Sequence, residues 1–302
     1  MLMKKGLIVS ILTLSFFVMS ACSSDTSQVD SFMHIHGLEY SQHDESIFVA
    51  THNGLLNINE SGWELVGEPE HQHDFMGYTI KDENVMISSG HPSIRSDYVD
   101  PLGVIISHDS GETWEPIALY EEVDFHLLHV NEGNREKMYG IDVYNSNLYR
   151  SENGGHDWKM VDTDGLPGPV ASVLSLTSHP QSPDYLLAGT ETGLYESSDG
   201  GQTWALKENN LSASSFQTLD SDSEELVAYL FGEKEGLYLS EDFGETWASL
   251  NFKIDDDYIM YISNHPADDQ KLVLGSMNQS IYETNDFGRS WELLAEEGKR
   301  KN

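Results

Sequence analysis

One short motif recurs five times along the chain, and each copy ends in a tryptophan. The motif contains Ser or Thr, then Asp or Asn, then Gly, and its copies begin at residues 107, 151, 197, 240 and 284. Their tryptophans are separated by 43 to 46 residues, and a degenerate copy, NESGW at 59–63, contains the sixth tryptophan of the chain. A regular period of this length predicts a repeat architecture in which each unit packs against its neighbours.

The segments between the motifs indicate what each unit contains. Residues 172–207 divide into four short runs rich in β-branched and aromatic residues, with turn residues between them. Such runs predict a four-stranded antiparallel sheet, and the same division is found in the other segments. Six units are expected, and they begin near His34, His73, His126, Ser172, Gln217 and Met260.

The five motifs resemble Asp-boxes, also called BNR repeats, which occur in sialidases, sortilin and related β-propellers. The resemblance covers Ser31 to about Glu296 and implies an all-β fold, a six-bladed β-propeller with Asp-box repeats. In that family the motif closes the turn between the third and fourth strands of a blade. We therefore assign residues 32–297 to the propeller and residues 298–302 to a basic tail.

The first residues predict the compartment. Residues 1–21 combine a basic start, an apolar run and small residues before Cys22, as secretory signal peptides do, and MSAC at 19–22 resembles a bacterial lipobox. We expect a lipid on Cys22, a polar tether over residues 22–31, and a membrane-anchored protein on the extracytoplasmic face. Ordinary secretion with a chance cysteine is the alternative.

The charge of the chain limits its partners. A formal net charge of −35 opposes binding to nucleic acid, so no nucleic-acid partner is expected. The acidity also fits a saline or alkaline medium, or an affinity for cations. Because Cys22 is the only cysteine, the chain has no intramolecular disulfide.

The histidines are distributed unevenly, since ten of the 13 lie between His34 and His129. In a propeller the starts of first strands and the ends of second strands meet around one mouth of the central channel. This topology predicts a metal site at the mouth over the first three blades, formed by His34, His36, His52, His73, His91 and His126, with His71, Met76, Asp74 and Asp124 at its periphery. The other histidines are expected elsewhere: His43, His108, His129, His156, His179 and His265.

Neutral imidazoles without a thiolate suit Zn²⁺, Cu²⁺, Ni²⁺ or Fe²⁺, and a nearby methionine favours copper. The expected cofactor is therefore a transition metal, zinc or copper, held for metal handling or for a metal-dependent reaction. Three alternatives stay open. In the first, the histidines are a chance feature of polar loops and bind no metal. In the second, the propeller is a glycoside hydrolase of a non-sialidase type. In the third, it is a scaffold that binds a surface protein or glycan.

Sialidase chemistry is not expected. The family resemblance implies three arginines that hold the carboxylate of the sugar, but only Arg95 and Arg135 lie outside the motifs, their flanks and the tail. Another glycosidase would need only two carboxylates, for example Asp74 with Asp142. With 51 acidic residues in the chain, such a pair has little specificity.

Overall fold

Six antiparallel sheets form the regular structure of residues 28–301, the part of the chain that the computed structural model describes. The signal peptide and the lipid on Cys22, both predicted above, fall outside these residues. Each sheet is built from strands that follow one another in sequence, so each is one blade. The all-β, six-bladed propeller expected from the repeats is therefore confirmed. Within residues 28–301, no helix has the length and apolar character needed to cross a membrane.

The first three blades use strands β1 to β12. Blade 1 contains β1 Gly37–Tyr40, β2 Ile47–Thr51, β3 Gly54–Asn59 and β4 Gly62–Leu65. Blade 2 contains β5 Asp74–Asp82, β6 Val85–His91, β7 Val104–Ser107 and β8 Glu115–Ala118. Blade 3 contains β9 Phe125–Val130, β10 Met138–Asp142, β11 Asn147–Ser151 and β12 Trp158–Val161.

A short 3₁₀ helix, Val170–Ser172, leads into the last three blades. Blade 4 contains β13 Ser175–His179, β14 Ser182–Thr190, β15 Gly193–Ser197 and β16 Ala205–Glu208. Blade 5 contains β17 Leu211–Thr218, β18 Leu226–Gly232, β19 Gly236–Ser240 and β20 Ala248–Ser249. Blade 6 contains β21 Ile259–His265, β22 Asp268–Ser276, β23 Ile281–Thr284, β24 Glu292–Glu296 and β25 Lys299–Arg300.

The first strands of the blades contact one another around a central channel of about 1280 Å³. The ring closes where β1 meets β21, and their apolar side chains share one core cluster with Phe32 and Trp63. Residues before β1 strengthen this seam, because Ser31 forms a β-bridge with Lys299 and the Phe32 N–H donates to the Gly298 carbonyl at 2.8 Å. The first and last blades are thus joined by both apolar packing and backbone hydrogen bonds.

The Asp-box turn lies between the third and fourth strands of its blade, as between β7 and β8. There the Ser107 hydroxyl accepts the Gly111 N–H at 2.8 Å and donates to an Asp109 carboxylate oxygen at 2.8 Å. Asp109 in turn accepts the backbone N–H and the hydroxyl of Thr113, at 2.9 and 2.6 Å. Gly111 has a φ of 92°, which disfavours any side chain there. Sequence and geometry agree that this motif stabilises the turn.

Replacing Ser107 by alanine tests the turn. The Gly111 N–H is buried and would lose its acceptor, so the free energy of unfolding should fall by about 1–3 kcal/mol. Chemical denaturation followed by circular dichroism measures the change. Ser61→Ala, which removes an exposed hydroxyl bond to Asn59 in the degenerate motif, is the control and should cost less. Equal losses in the two variants would contradict this role for Ser107.

The structure differs from the expected boundaries at three places. Blade 5 begins at Leu211 rather than near Gln217, because buried serines lengthen β17; the Ser214 hydroxyl donates to the Ile259 carbonyl of the next blade at 2.6 Å. The basic tail is not separate, since Lys299–Arg300 extends the last sheet as β25. The assigned tether also includes residues that pair with the propeller, as Gln28 does with Glu64.

Candidate metal centre

Three histidines of blade 1 converge at the channel mouth. His34 and His36 precede β1, and His52 follows the end of β2, so the antiparallel pairing of β1 with β2 places them side by side. One ligand nitrogen from each lies within 4.8 Å of the others. The ring of His52 is 4.6 Å from those of His34 and His36, between centroids. Three imidazole nitrogens at such separations need only small adjustments to hold one ion.

His36 is the most buried of the three. Its Nε2 is buried and has no hydrogen-bond partner in the described residues. Burial, reinforced by the neighbouring His52, His126 and His34, lowers the pKa of His36 to about 3. The ring is therefore neutral at physiological pH, and its buried Nε2 has no bonded group among the described residues. A neutral imidazole is the form that binds a transition metal.

His52 is oriented by a carboxylate. Its Nδ1 lies 2.5 Å from Oδ1 of Asp74, the first residue of β5 in the next blade. An Nδ1–H that donates to this carboxylate leaves the lone pair on Nε2. Carboxylate–histidine pairs of this kind fix the ring and raise its basicity in metal sites. Asp74, predicted at the periphery, is therefore a partner of a ligand.

His34 is the exposed member of the group and has a strained backbone. Its φ of 59° lies in the left-handed region, which is uncommon for a residue with a side chain. Its N–H donates to the side-chain oxygen of Gln279, in the loop between β22 and β23, at 3.1 Å. Blade 6 thus helps to hold a histidine of blade 1.

Two further predicted histidines adjoin this group through Asp124. The Asp124 side chain is 1% exposed, and its Oδ2 lies 2.9 Å from Nε2 of His126 and 3.7 Å from Nε2 of His91. The rings of His126 and His36 are 6.5 Å apart between centroids. The mouth therefore gathers five of the six predicted histidines, with Asp74 and Asp124 beside them.

His73 does not join the cluster, contrary to the prediction. It is fully buried, and its Nδ1 accepts the backbone N–H of Ser93 at 3.0 Å. His71 likewise accepts the N–H of Trp114 at 3.2 Å. In a neutral ring this leaves the proton on Nε2. His73 is thus a backbone acceptor for the loop after β6, and His71 is one for the residue before β8. Met76 is buried within β5.

The remaining histidines have separate surroundings. His129 is bonded to Ser178 of blade 4, at 2.7 Å, and lines the channel. His43 lies near Asn84 and His179 near Glu224, both at turns between first and second strands. His265 packs against Tyr40. His108 and His156 occupy Asp-boxes, as the sequence indicated.

The suggested glycosidase carboxylates already have structural partners. Asp142 is fully buried and accepts the backbone N–H groups of Asp124, Tyr144 and Asn145. Asp74 is bonded to His52. Arg135 binds the carbonyls of Ile80 and Lys81 from the loop after β9, whereas Arg95 lies in the loop after β6, on the face of the histidines. The two arginines thus lie on opposite faces, so they do not form a clamp.

Two contributors were not predicted. Asp100 lies 2.6 Å from Nδ1 of His91 and thereby holds that ring. Gln279 anchors His34. Neither has a sequence signal, because each is brought to the mouth by a long loop or by ring closure.

Family comparisons agree with the repeats. A model described as sortilin, neurotensin receptor 3, matches residues 103–236, and one described as photosynthesis system II assembly factor YCF48 matches residues 177–299. No curated protein gives a significant match to the chain.

Solved structures share the fold at low identity. A GH74 enzyme from Niastella koreensis is 13% identical with a TM-score of 0.60, and the match covers 89% of this chain and 46% of that one. YCF48 bound to D1 peptide is 14% identical with a TM-score of 0.52, covering 88% and 82% of the two chains. The extracellular domain of the hybrid two-component system BT4673 from B. thetaiotaomicron is 12% identical with a TM-score of 0.54, and the match covers 89% of this chain and 35% of that one.

This chain therefore spans less than half the length of the GH74 enzyme. Identities this low show the fold alone. Together, the Asp-boxes, the six sheets and the two family models identify the chain as a β-propeller of the BNR-repeat type.

Proposed function

We propose that this protein binds a transition-metal ion at the channel mouth through His34, His36 and His52, and that it handles the metal outside the cytoplasm. The observation that carries the proposal is the convergence of three imidazole nitrogens within 4.8 Å, one of them buried without a partner. An orphaned buried nitrogen is costly unless a ligand satisfies it. A metal ion would do so while displacing little protein structure.

The local charges favour a cation. Asp74 and Asp100 each contact an imidazole at the mouth, and Asp124 contacts two. In the described residues, no lysine or arginine forms an ion pair with any of these three carboxylates. A dication would therefore enter a site of negative potential, which favours both its affinity and its rate of association.

The location also belongs to the proposal. The signal-like residues 1–21 and Cys22 predict export and a lipid anchor, and one propeller of similar fold is named an extracellular domain. A lipid-anchored protein with a solvent-facing metal site suits the capture or buffering of metal at a cell surface. Labelling with a lipid precursor, with Cys22→Ser beside the wild type, tests the anchor separately from the site.

Metal binding by the purified, tag-free protein tests the site. We expect Zn²⁺ or Cu²⁺ to bind the wild type, and His36→Ala to weaken binding at least tenfold, because it removes the buried ligand. His73→Ala is the matched control, since His73 lies outside the group. Equilibrium dialysis followed by metal analysis measures both. An unmetallated wild type, or equal losses in the two variants, would contradict the proposal.

Glycoside hydrolysis is the second candidate, raised by the GH74 name of a structure with this fold. The pair of Asp74 and Asp142 argues against it, because both carboxylates are engaged by protein groups. A panel of glycosides assayed with and without a chelator separates the two functions. Turnover that persists in the chelator would favour a glycosidase.

A further inference from the structure

We propose a second cation position at the same mouth, formed by Asp124, His91 and His126, so that the site holds two metal ions. This proposal rests on the proposed function and extends it to a two-metal centre. It is carried by the contacts of one buried carboxylate, which the three-histidine group does not include.

The burial of the Asp124 carboxylate favours a bound cation. Its side chain is 1% exposed, and its Oδ1 has no hydrogen-bond partner among the described residues. A buried carboxylate with an unsatisfied oxygen is strongly unfavourable unless a positive charge compensates it. Its only ion-pair neighbours in the described chain are the imidazoles of His91 and His126.

The geometry around His91 indicates where the cation lies. Nδ1 of His91 is 2.6 Å from Asp100, so a neutral ring donates there and keeps its lone pair on Nε2. That lone pair faces Oδ2 of Asp124 at 3.7 Å. A tetrahedral ion with bonds of about 2.1 Å holds its ligands about 3.4 Å apart, which is close to this separation.

His126 contacts the same carboxylate oxygen, Oδ2 of Asp124, as His91 does. It is the exposed member, with Nε2 at 2.9 Å from Asp124, and it follows Asp124 by two residues at the start of β9. A small rotation of this ring exchanges its hydrogen bond for a metal bond. Solvent-facing His126 would admit the ion, and buried Asp124 would supply the charge.

The two positions adjoin each other. The rings of His36 and His126 are 6.5 Å apart between centroids, so the first group and the Asp124 group share a boundary. Asp74, Asp100 and Asp124 supply three negative charges, which offsets most of the charge of two dications. Two neighbouring metals held by imidazoles and carboxylates can jointly bind an oxyanion or activate water.

Counting bound zinc tests the second position. With the purified, tag-free protein, equilibrium dialysis against zinc should give two equivalents for the wild type and one for Asp124→Asn. His52→Ala should also bind one equivalent, because it removes a ligand of the three-histidine position. Asp162→Asn, which removes the same charge at an exposed residue after β12, is the control and should keep two.

Circular dichroism first establishes that each variant is folded, and His91→Gln provides a second route to the same loss. If the wild type binds only one equivalent of zinc and His52→Ala removes it, the second position is contradicted. The proposed function would remain supported. Two equivalents in both Asp124→Asn and His91→Gln would also overturn it. No zinc in the wild type would instead reject the proposed function itself.

Discussion

Replacing Trp114 by alanine is expected to lower the free energy of unfolding by about 3–5 kcal/mol. Trp114 is 2% exposed and packs against Phe75, with ring centroids 4.9 Å apart. Its indole N–H also donates to the Gly111 carbonyl at 3.0 Å, within the Asp-box. The substitution therefore leaves a cavity between blades 1 and 2 and also frees a carbonyl of the turn.

Chemical denaturation followed by circular dichroism measures this loss. Trp291→Ala is the matched control, because Trp291 makes the same bond to Gly288 at 3.2 Å but is only partly buried. We expect the control to lose clearly less stability. Since whole domains are stable by only about 5–15 kcal/mol, Trp114→Ala should shift the midpoint visibly. An unchanged midpoint would show that the tryptophan does not support the seam between these blades.

Acidification should destabilise the metal-free protein by roughly 5 kcal/mol between pH 7 and 4.5. Burial, aided by the nearby His71, lowers the pKa of His73 to about 4, and burial lowers the pKa of His129 to about 4. His36 behaves similarly, with a pKa of about 3. Below pH 6.5 the unfolded chain binds protons that these three folded rings do not, so stability falls with pH.

Glu39 acts in the opposite direction. Its burial raises its pKa to about 7, so the folded state binds a proton that the unfolded state does not, and stability increases as pH falls from 7 to 4.5. One carboxyl offsets about one histidine, because the shifts are of similar size. The three histidines together therefore outweigh Glu39.

Denaturation curves at pH 7, 6, 5 and 4.5 in the presence of a chelator measure the effect. His129→Gln keeps an acceptor for the Ser178 N–H, which His129 binds at 3.0 Å, and removes one titrating ring. Between pH 7 and 4.5, the free energy of unfolding of this variant should fall by about 2–3 kcal/mol less than that of the wild type. Constant stability down to pH 4.5 would contradict the assignment of these rings as buried and neutral.

The fold was predictable because its information is local and repeated. Each Asp-box supplies its own hydroxyl, carboxylate and glycine, as in Ser107, Asp109 and Gly111, so one copy read in isolation specifies its turn. The start of the first strand of blade 5 was missed, because its small serines do not give the sequence pattern of a β-strand. In the structure, the hydroxyls of Ser212 and Ser214 bond to neighbouring blades. Closure by Ser31 and Lys299 depends on residues at opposite ends of the propeller.

The site was predictable in part, for a geometric reason. Starts of first strands and ends of second strands meet at one mouth in any propeller, so His34, His36 and His52 converge once the blade boundaries are known. His71 and His73 were assigned by the same argument, because they precede β5 as His34 and His36 precede β1. Nδ1 of His71 accepts the backbone N–H of Trp114, and Nδ1 of His73 accepts that of Ser93. The spacing of histidines in the sequence does not predict hydrogen bonds of this kind.

The seam between the first and last blades has a mechanical consequence. Tension applied to the chain at Gln28 would first load the Val29 N–H bond to Trp63, the Arg300 N–H bond to Asp30 and the Phe32 N–H bond to Gly298. Phe32 adds a contact with Trp63, with ring centroids 5.7 Å apart. These bonds precede His34 along the chain and would resist in parallel. A pull on the chain at Gln28 would therefore be borne at the edge of the propeller, before it reached His34 and His36.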